Sequence, residues 1–224
     1  MEPFLWPRCH FFFDKSKQVN TLIPIGHCNR DKGKVMNLVY YDSAPAVIAE
    51  CSVFLAGPTT DGAGGQWVGD WKGHKLSRWR ADLARELDQA GYMGTLVVPE
   101  FSKPGDFKAL AAEVWPQQPS GPRSAPLLWE DRQLEKATIV ALWMDVGLDG
   151  PARGLSARPE ASELFFRSQL PPGSWTWRVQ RLVYGAPTSA KKVGRFAGFA
   201  ADLGMPVWRS LPELARAIVA ACLK

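Results

Sequence analysis

Residues 52–60 read Ser52-Val-Phe-Leu-Ala-Gly-Pro-Thr-Thr60, an apolar run that stops at a Gly-Pro turn. The run is typical of a short buried β-strand, and the glycine-rich residues that follow it predict an irregular loop. In open α/β sheets, ligands bind just beyond the carboxyl ends of the strands. We therefore expect a ligand site beside Gly57, where this strand ends.

The alternation of strand and helix continues along the rest of the chain. Amphipathic segments that predict helices separate further apolar runs, and these runs predict strands at Thr95–Val98, Thr138–Met144, Arg181–Tyr184 and Pro206–Trp208, with a candidate edge strand at Asn37–Tyr41. Apolar strands that alternate with amphipathic helices are typical of a parallel sheet covered on both faces. We expect a five-stranded, mostly parallel sheet with the strand at Ser52 near its centre.

Helix boundaries are marked by familiar end signals. Ser77 predicts the start of a helix that Gly91 ends, and Ser210 with Glu213 predicts a capping box for the last helix. Further helices are expected at Leu127–Ala137 and near Pro159–Ser168. The Pro- and Gly-rich segment Ser102–Ala125 is expected to be a functional loop.

The length and composition are those of one medium-sized α/β domain with an appended arm. The chain has 224 residues, of which 46% are hydrophobic. Residues 1–35 mix aromatic, charged and turn residues without periodicity, so we interpret them as an irregular arm. Residues 36–224 form the expected domain. The ten tryptophans suggest more apolar surface than the domain needs to cover itself, and we expect at least a homodimer.

Hydropathy, cysteines and charge predict the cellular location and the class of partner. No apolar stretch reaches the ~20 residues of a membrane span. The first residues lack a basic region followed by an aliphatic core and a small-residue cleavage site, so a secretory signal is not expected. The four cysteines have no paired spacing, which predicts a reducing, cytoplasmic location. The net charge of +5 is spread along the chain, so a solvated surface is favoured over nucleic-acid binding.

The common nucleotide and hydrolase motifs do not hold in this sequence. Gly57 and Gly62 have the glycine spacing of a P-loop, but Ala63-Gly64 stands where Lys-Ser/Thr is required. No G-x-G-x-x-G follows a strand, no G-x-S-x-G is present, and all three histidines lie outside the predicted strand ends. Catalysis is therefore expected to depend on carboxylates.

Three carboxylates stand at suggestive positions. Glu100 ends a predicted strand. Glu130 lies at the start of the predicted helix before the next strand, and Glu163 lies in the helix after that strand. A structural explanation is open for each, because acidic residues near helix N-termini are favoured by the helix dipole and Glu163 can be a solvated helix residue. Arg80 also has a structural explanation, since it can be an ordinary surface arginine.

A succession of short motifs resembles the nucleoside 2-deoxyribosyltransferase-like family over roughly residues 37–220. The motifs, in order, are Val53-Phe-Leu-Ala-Gly-Pro-Thr59, Trp79-Arg80, Val97-Val-Pro-Glu100, Trp129-Glu130, Ile139–Trp143, Ser162-Glu-Leu164, Val183-Tyr-Gly-Ala-Pro187 and Gly204-Met-Pro-Val207. The resemblance implies a flavodoxin-like three-layer α/β/α fold and a homo-oligomer. It also implies an enzyme without metal or cofactor that cleaves the N-glycosidic bond of a 2-deoxyribonucleoside or its 5′-monophosphate.

The resemblance also implies roles for individual residues. Glu163 matches the nucleophile, and Glu130 matches an acidic residue that holds the substrate or protonates the leaving base. Substrate-binding positions are expected at Gly57, Pro58, Thr59, Arg80 and Glu100. A nucleoside or nucleotide and a free base are the expected partners.

The segment around Glu163 departs from the family pattern. Pro159-Glu160 replaces threonines that usually precede the nucleophile, and Phe165 replaces a glycine that usually follows it. Three readings stay open: transfer of deoxyribose to a second base, hydrolysis of the nucleoside or nucleotide, and nucleotide binding without catalysis.

Overall fold

A computed structural model describes residues 36–43, 51–58, 69–103, 105–116, 125–144, 157–169, 181–190 and 193–223. All of these ranges belong to one compact unit, Val35–Lys224. The expected N-terminal arm, residues 1–35, lies outside the described residues.

Eight strands and six helices occur within these ranges. The strands are β1 Asn37–Val39, β2 Ser52–Ala56, β3 Gly69–Trp71, β4 His74–Leu76, β5 Thr95–Val97, β6 Ile139–Trp143, β7 Leu182–Gly185 and β8 Val207–Trp208. The helices are α1 Arg78–Gln89, α2 Phe107–Val114, α3 Ala125–Lys136, α4 Ala157–Ser168, α5 Gly194–Asp202 and α6 Leu211–Cys222.

The main sheet has six strands in the order β1-β5-β2-β6-β7-β8, and every neighbouring pair is parallel. The expected α/β fold is confirmed, with β2 near the centre of the sheet. The expected count of five strands is wrong by one, because the short segments at both ends of the sheet, β1 and β8, each pair with a neighbour. Counted from β2, the order β5-β2-β6-β7-β8 is the flavodoxin-like order 2-1-3-4-5.

The sheet separates two apolar layers, because successive side chains of a strand point to opposite faces. Val53 and Leu55 pack on one face with residues of α1 and α6. Phe54 and Ala56 pack on the other face with residues of α3, α4 and α5. All five residues of β2 are buried, as expected for a strand covered on both sides.

Two of the predicted helix ends are confirmed in detail. Gly91 has φ 78° and follows the last residues of α1, where a left-handed conformation ends the helix. At α6, the Ser210 side chain accepts from the Glu213 backbone, and the Glu213 carboxylate accepts from the Ser210 backbone. Ser77 precedes α1 as expected, but its hydroxyl makes no capping bond and accepts from Arg80 instead.

Two elements differ from the sequence-based expectation. The hairpin β3–β4, with antiparallel pairing of Gly69 to Leu76, was not expected. Helix α2 lies inside the segment Ser102–Ala125 that we expected to be a loop, and the Asp106 carboxylate caps it by accepting from the Ala109 backbone at 3.0 Å. The prediction of a continuous loop there is wrong, because the helix signal is short and flanked by Pro and Gly residues.

A disulfide joins Cys51, just before β2, to Cys222 at the end of α6, with a Cα–Cα distance of 5.7 Å. Two of the four cysteines are therefore paired, contrary to the interpretation of their spacing, and the cellular location stays a prediction. These two cysteines are 171 residues apart, and only the fold brings them together. None of the helices in the described ranges combines the length and apolar character needed to cross a bilayer.

Candidate active site at the carboxyl edge of the sheet

Gly57 lies immediately after β2, at the point where β2 and β6 neighbour each other. In the flavodoxin-like order this is the topological switch point, where ligands bind. Gly57 has φ 141°, and a Cβ on it would lie 2.3 Å from the backbone oxygen of Trp143 and 3.1 Å from the Trp79 ring. The Pro58 carbonyl accepts a hydrogen bond from Trp79 Nε1 at 2.9 Å. Thr59, also predicted to bind substrate, lies outside the described residues.

Arg80 and Glu100 form a buried ion pair beside this turn. Arg80 Nη2 donates to the carbonyls of Leu55 and Gly57, each at 3.1 Å, and Arg80 Nη1 donates to Ser77 Oγ at 3.1 Å. Glu100 Oε2 accepts from the Ser77 backbone at 3.0 Å. At 0% and 3% exposure, Arg80 and Glu100 hold the ends of β2 and β5 together. The polar atoms of these two side chains bond to other groups of the protein, so in this arrangement Arg80 and Glu100 position the edge of the site.

Glu130, on the second turn of α3, is half-buried and accepts a hydrogen bond on Oε1 from the Tyr41 hydroxyl. Burial raises the pKa of Glu130, while the Tyr41 hydrogen bond and the positive charge of Arg80 lower it and Asp131 raises it. Burial is the largest of these effects, since it removes water from the charged form. The charge of Arg80 connects Glu130 electrostatically to the ion pair beside Gly57.

An aromatic cluster holds Tyr41 in this place. The Tyr41 ring lies 4.8 Å from Trp129, 5.2 Å from Phe101 and 5.6 Å from Trp115, with edge or tilted geometry that aromatic pairs prefer. The Tyr41 backbone N–H donates to the Glu100 carbonyl at 2.9 Å, which ties the end of β1 to the end of β5. Sequence reasoning assigned no role to Tyr41. The signal that could have indicated a role was the position of Tyr41 at the end of the candidate edge strand Asn37–Tyr41.

The described contacts of Glu163 are with Arg167 and do not include Arg80, Glu100 or Glu130. Glu163 is the seventh residue of α4, about 9 Å along the axis from the helix start. Its carboxylate is 53% exposed and pairs with Arg167 one turn later, with Oε1 at 2.6 Å from Nη2 and 2.9 Å from Nε. The segment before α4, residues 145–156, lies outside the described residues. The role of Glu163 as a nucleophile stays a prediction.

Phe165, which replaces the expected glycine, is directed into the core. It is 4% exposed, and its ring lies 5.4 Å from Tyr184 and 6.3 Å from Phe196. The bulk of Phe165 therefore packs beneath α4 and leaves the exposed face of the helix, which carries Glu163, unobstructed by this side chain.

Other candidate sites in the described part of the chain carry less chemistry. No group of three or more His, Cys, Asp or Glu side chains there is arranged to hold a metal ion. A shallow groove of about 510 Å³ lies along α6 and the edge strand β8. None of the predicted site residues lines it; the lining residues are Arg181, Trp208, Glu213, Arg216, Ala217, Ala220 and Ala221.

Comparison with models of known protein families gives no match, and comparison with curated proteins gives no significant match.

Proposed function

We propose that this protein cleaves the N-glycosidic bond of a 2-deoxyribonucleoside or its 5′-monophosphate and transfers the deoxyribosyl group to another base. The observation that carries the proposal is Glu130, a half-buried carboxyl with a raised pKa at the carboxyl edge of the sheet, hydrogen-bonded by Tyr41. A carboxyl in such an environment keeps its proton to higher pH and can serve as a general acid. The resemblance of the motifs to the deoxyribosyltransferase-like family supports the substrate class.

In the first step Glu130 donates its proton to a ring nitrogen of the leaving base. The bond between that base and the anomeric carbon breaks, and its electron pair stays with the base. The sugar passes through an oxocarbenium-like transition state. A Glu163 carboxylate oxygen then bonds to the anomeric carbon and forms an ester. Attack by a nitrogen of the second base releases Glu163, and the proton of that base returns to Glu130.

Hydrolysis is the second candidate, and the exposure of Glu163 favours it. An ester formed on a carboxylate that is half open to solvent is accessible to water. Water would then attack the anomeric carbon in place of the second base and release free deoxyribose or its 5-phosphate. The pairing of Glu163 with Arg167 is equally compatible with the third reading, a nucleotide-binding protein without turnover.

One chromatographic assay separates these functions. The purified protein is incubated with a panel of deoxynucleosides and deoxynucleotides, with and without free adenine. A transferase forms a new nucleoside only when adenine is present, and a hydrolase releases sugar in both cases. Thermal stabilisation by a nucleotide without any product would contradict an enzymatic function.

Substitution of the two carboxylates tests their roles. Glu163→Gln should abolish turnover and retain substrate binding, because the amide cannot form the ester. Glu130→Gln should lower turnover by about 10²-fold or more, since general acids contribute 10²–10⁴-fold. In the wild type, kcat should fall as the pH rises through the pKa of Glu130, because the acid form is required. Glu135→Gln, an exposed carboxylate on α3, is the control. An active Glu163→Gln enzyme would exclude the covalent route.

We also propose a homodimer or higher homo-oligomer in the cytoplasm. Phe166 on α4 and Leu127 on α3 are 66% and 49% exposed, which leaves apolar surface for a second copy. Light scattering should give at least twice the 24.8 kDa chain mass over a concentration series. A monomer mass throughout would refute the assembly.

Cell fractionation tests the location. This test matters because disulfides such as Cys51–Cys222 are rare in cytoplasmic proteins.

A further inference from the structure

We propose that Tyr41 is a positioning residue for Glu130, which fixes the carboxyl so that Oε2 is the oxygen presented to the substrate. This role rests on the proposed function, in which Glu130 is the general acid. Tyr41 lies two residues after β1, the strand added beside the flavodoxin-like order, so this contact comes from outside the five strands of that order.

The geometry assigns separate tasks to the two carboxyl oxygens of Glu130. Oε1 accepts from the Tyr41 hydroxyl. No residue in the described ranges forms a hydrogen bond to Oε2. A carboxyl group with one oxygen held by a donor can rotate less freely, and we assign its second oxygen to the leaving base. A general acid needs this direction, because proton transfer requires hydrogen-bond geometry to the accepting nitrogen.

The Tyr41 hydroxyl is itself fixed from several sides. The ring is 6% exposed and packs among Phe101, Trp115 and Trp129. The Tyr41 backbone is bonded to the Glu100 carbonyl, next to the Arg80–Glu100 pair. A hydroxyl on a packed ring loses little freedom when it forms a hydrogen bond, so it is a suitable group for orienting a neighbour.

Three side chains from different parts of the fold act on the pKa of Glu130. Tyr41 acts from the turn after β1, Arg80 from α1 and Asp131 from α3 itself. The Tyr41 hydrogen bond and the Arg80 charge favour the ionised carboxylate, whereas Asp131 and burial favour the protonated form. Removal of the Tyr41 hydroxyl takes away one of the two stabilising contributions to the ionised form, so the pKa of Glu130 should rise.

The test compares Tyr41→Phe with Tyr40→Phe, a matched control from the adjacent residue. Tyr40 is also buried, at 4% exposure, and its hydroxyl has no hydrogen-bond partner among the described residues. Each change deletes one buried hydroxyl and retains the ring. The titration of Glu130 is followed by infrared spectroscopy of ¹³C-labelled carboxyl groups without substrate, with Glu130→Gln to assign the band.

Tyr41→Phe should move the Glu130 titration midpoint to higher pH, and Tyr40→Phe should leave it unchanged. In the deoxynucleoside assay, Tyr41→Phe should lower kcat about tenfold with KM changed less than twofold, as expected for loss of orientation of a general acid. The alkaline limb of its pH profile should shift upward with the titration. Chemical unfolding of both variants shows whether each retains the fold.

An unchanged Glu130 midpoint in Tyr41→Phe, or an equal shift in both variants, would overturn the proposal. A kcat equal to that of the wild type would do the same. A wild-type protein without turnover would refute the enzymatic function, and Tyr41 would then have no catalytic group to position. The substrate-free titration would still show whether Tyr41 controls Glu130, so the two failures are distinguishable.

Discussion

Gly57 is the residue where the backbone geometry of the candidate site is most constrained. Its φ of 141° is disfavoured for residues with a side chain, and a Cβ would lie 2.3 Å from the Trp143 backbone oxygen. Replacement by alanine should therefore force β2 and β6 apart at their carboxyl ends. We expect Gly57→Ala to lower the free energy of unfolding by about 3 kcal/mol or more, measured by chemical denaturation.

Gly73→Ala provides the control for this prediction. Gly73 also has a positive φ, 85°, but a Cβ there would have no atom within 4 Å. Its replacement should cost only about 1 kcal/mol, the strain of the left-handed conformation alone. Equal losses for the two variants would show that the close approach to Trp143 contributes nothing.

Single residues of the site were predictable to different degrees. Glu100 and Gly57 follow apolar runs, so their place at the edge of a parallel sheet could be inferred from the chain. The function of Arg80 could not, since its partners lie on β2 and after β5 and depend on how these strands neighbour each other. The Tyr41–Glu130 bond spans 89 residues, and no local pattern encodes it.

Helix α6 begins with a complete capping box. The Glu213 carboxylate accepts from the backbone N–H groups of Arg209 and Ser210 at 2.9 and 3.1 Å, and these contacts lower the pKa of Glu213 from its usual 4.5. A carboxyl whose pKa is lowered in the folded state stabilises the protein above the unfolded pKa. That stabilisation disappears as the pH falls through the folded pKa.

Glu213→Gln isolates this charge, because the amide oxygen can still accept both hydrogen bonds. The wild type should be more stable than the variant above pH 4.5. The difference should shrink as the pH falls below that value and disappear once Glu213 is protonated in the folded state. Urea unfolding at a series of pH values measures it. A difference that stays constant across the series would show that the charge has no role.

The elements that the sequence predicted well have continuous apolar runs or strong end signals. Strands β2, β5 and β6 are fully buried, so every position in them had to be apolar or small. The hairpin β3–β4 was missed because only two of its six positions are buried and its sequence carries no strand pattern. It is held by packing of Trp71 and Leu76 into the core, which depends on tertiary structure.

For the molecule as a whole, the Cys51–Cys222 bond should be a large contribution to stability. It closes a loop over nearly the entire domain, and such a loop restricts the unfolded chain strongly. Reduction should lower the free energy of unfolding by about 3 to 5 kcal/mol. Denaturation with and without dithiothreitol measures the change. The double variant Cys51→Ser/Cys222→Ser should be insensitive to the reductant, and a wild type equally insensitive would contradict the assignment.

The same bond determines how the protein responds to tension applied at its two termini. Force enters at residue 51 and leaves at residue 222, and the covalent bridge transmits it directly between them. The 171 residue steps between the two cysteines are thus shielded from the load, together with every strand from β2 to β8. Their contour length of about 600 Å becomes available for stretching only after the bridge is reduced.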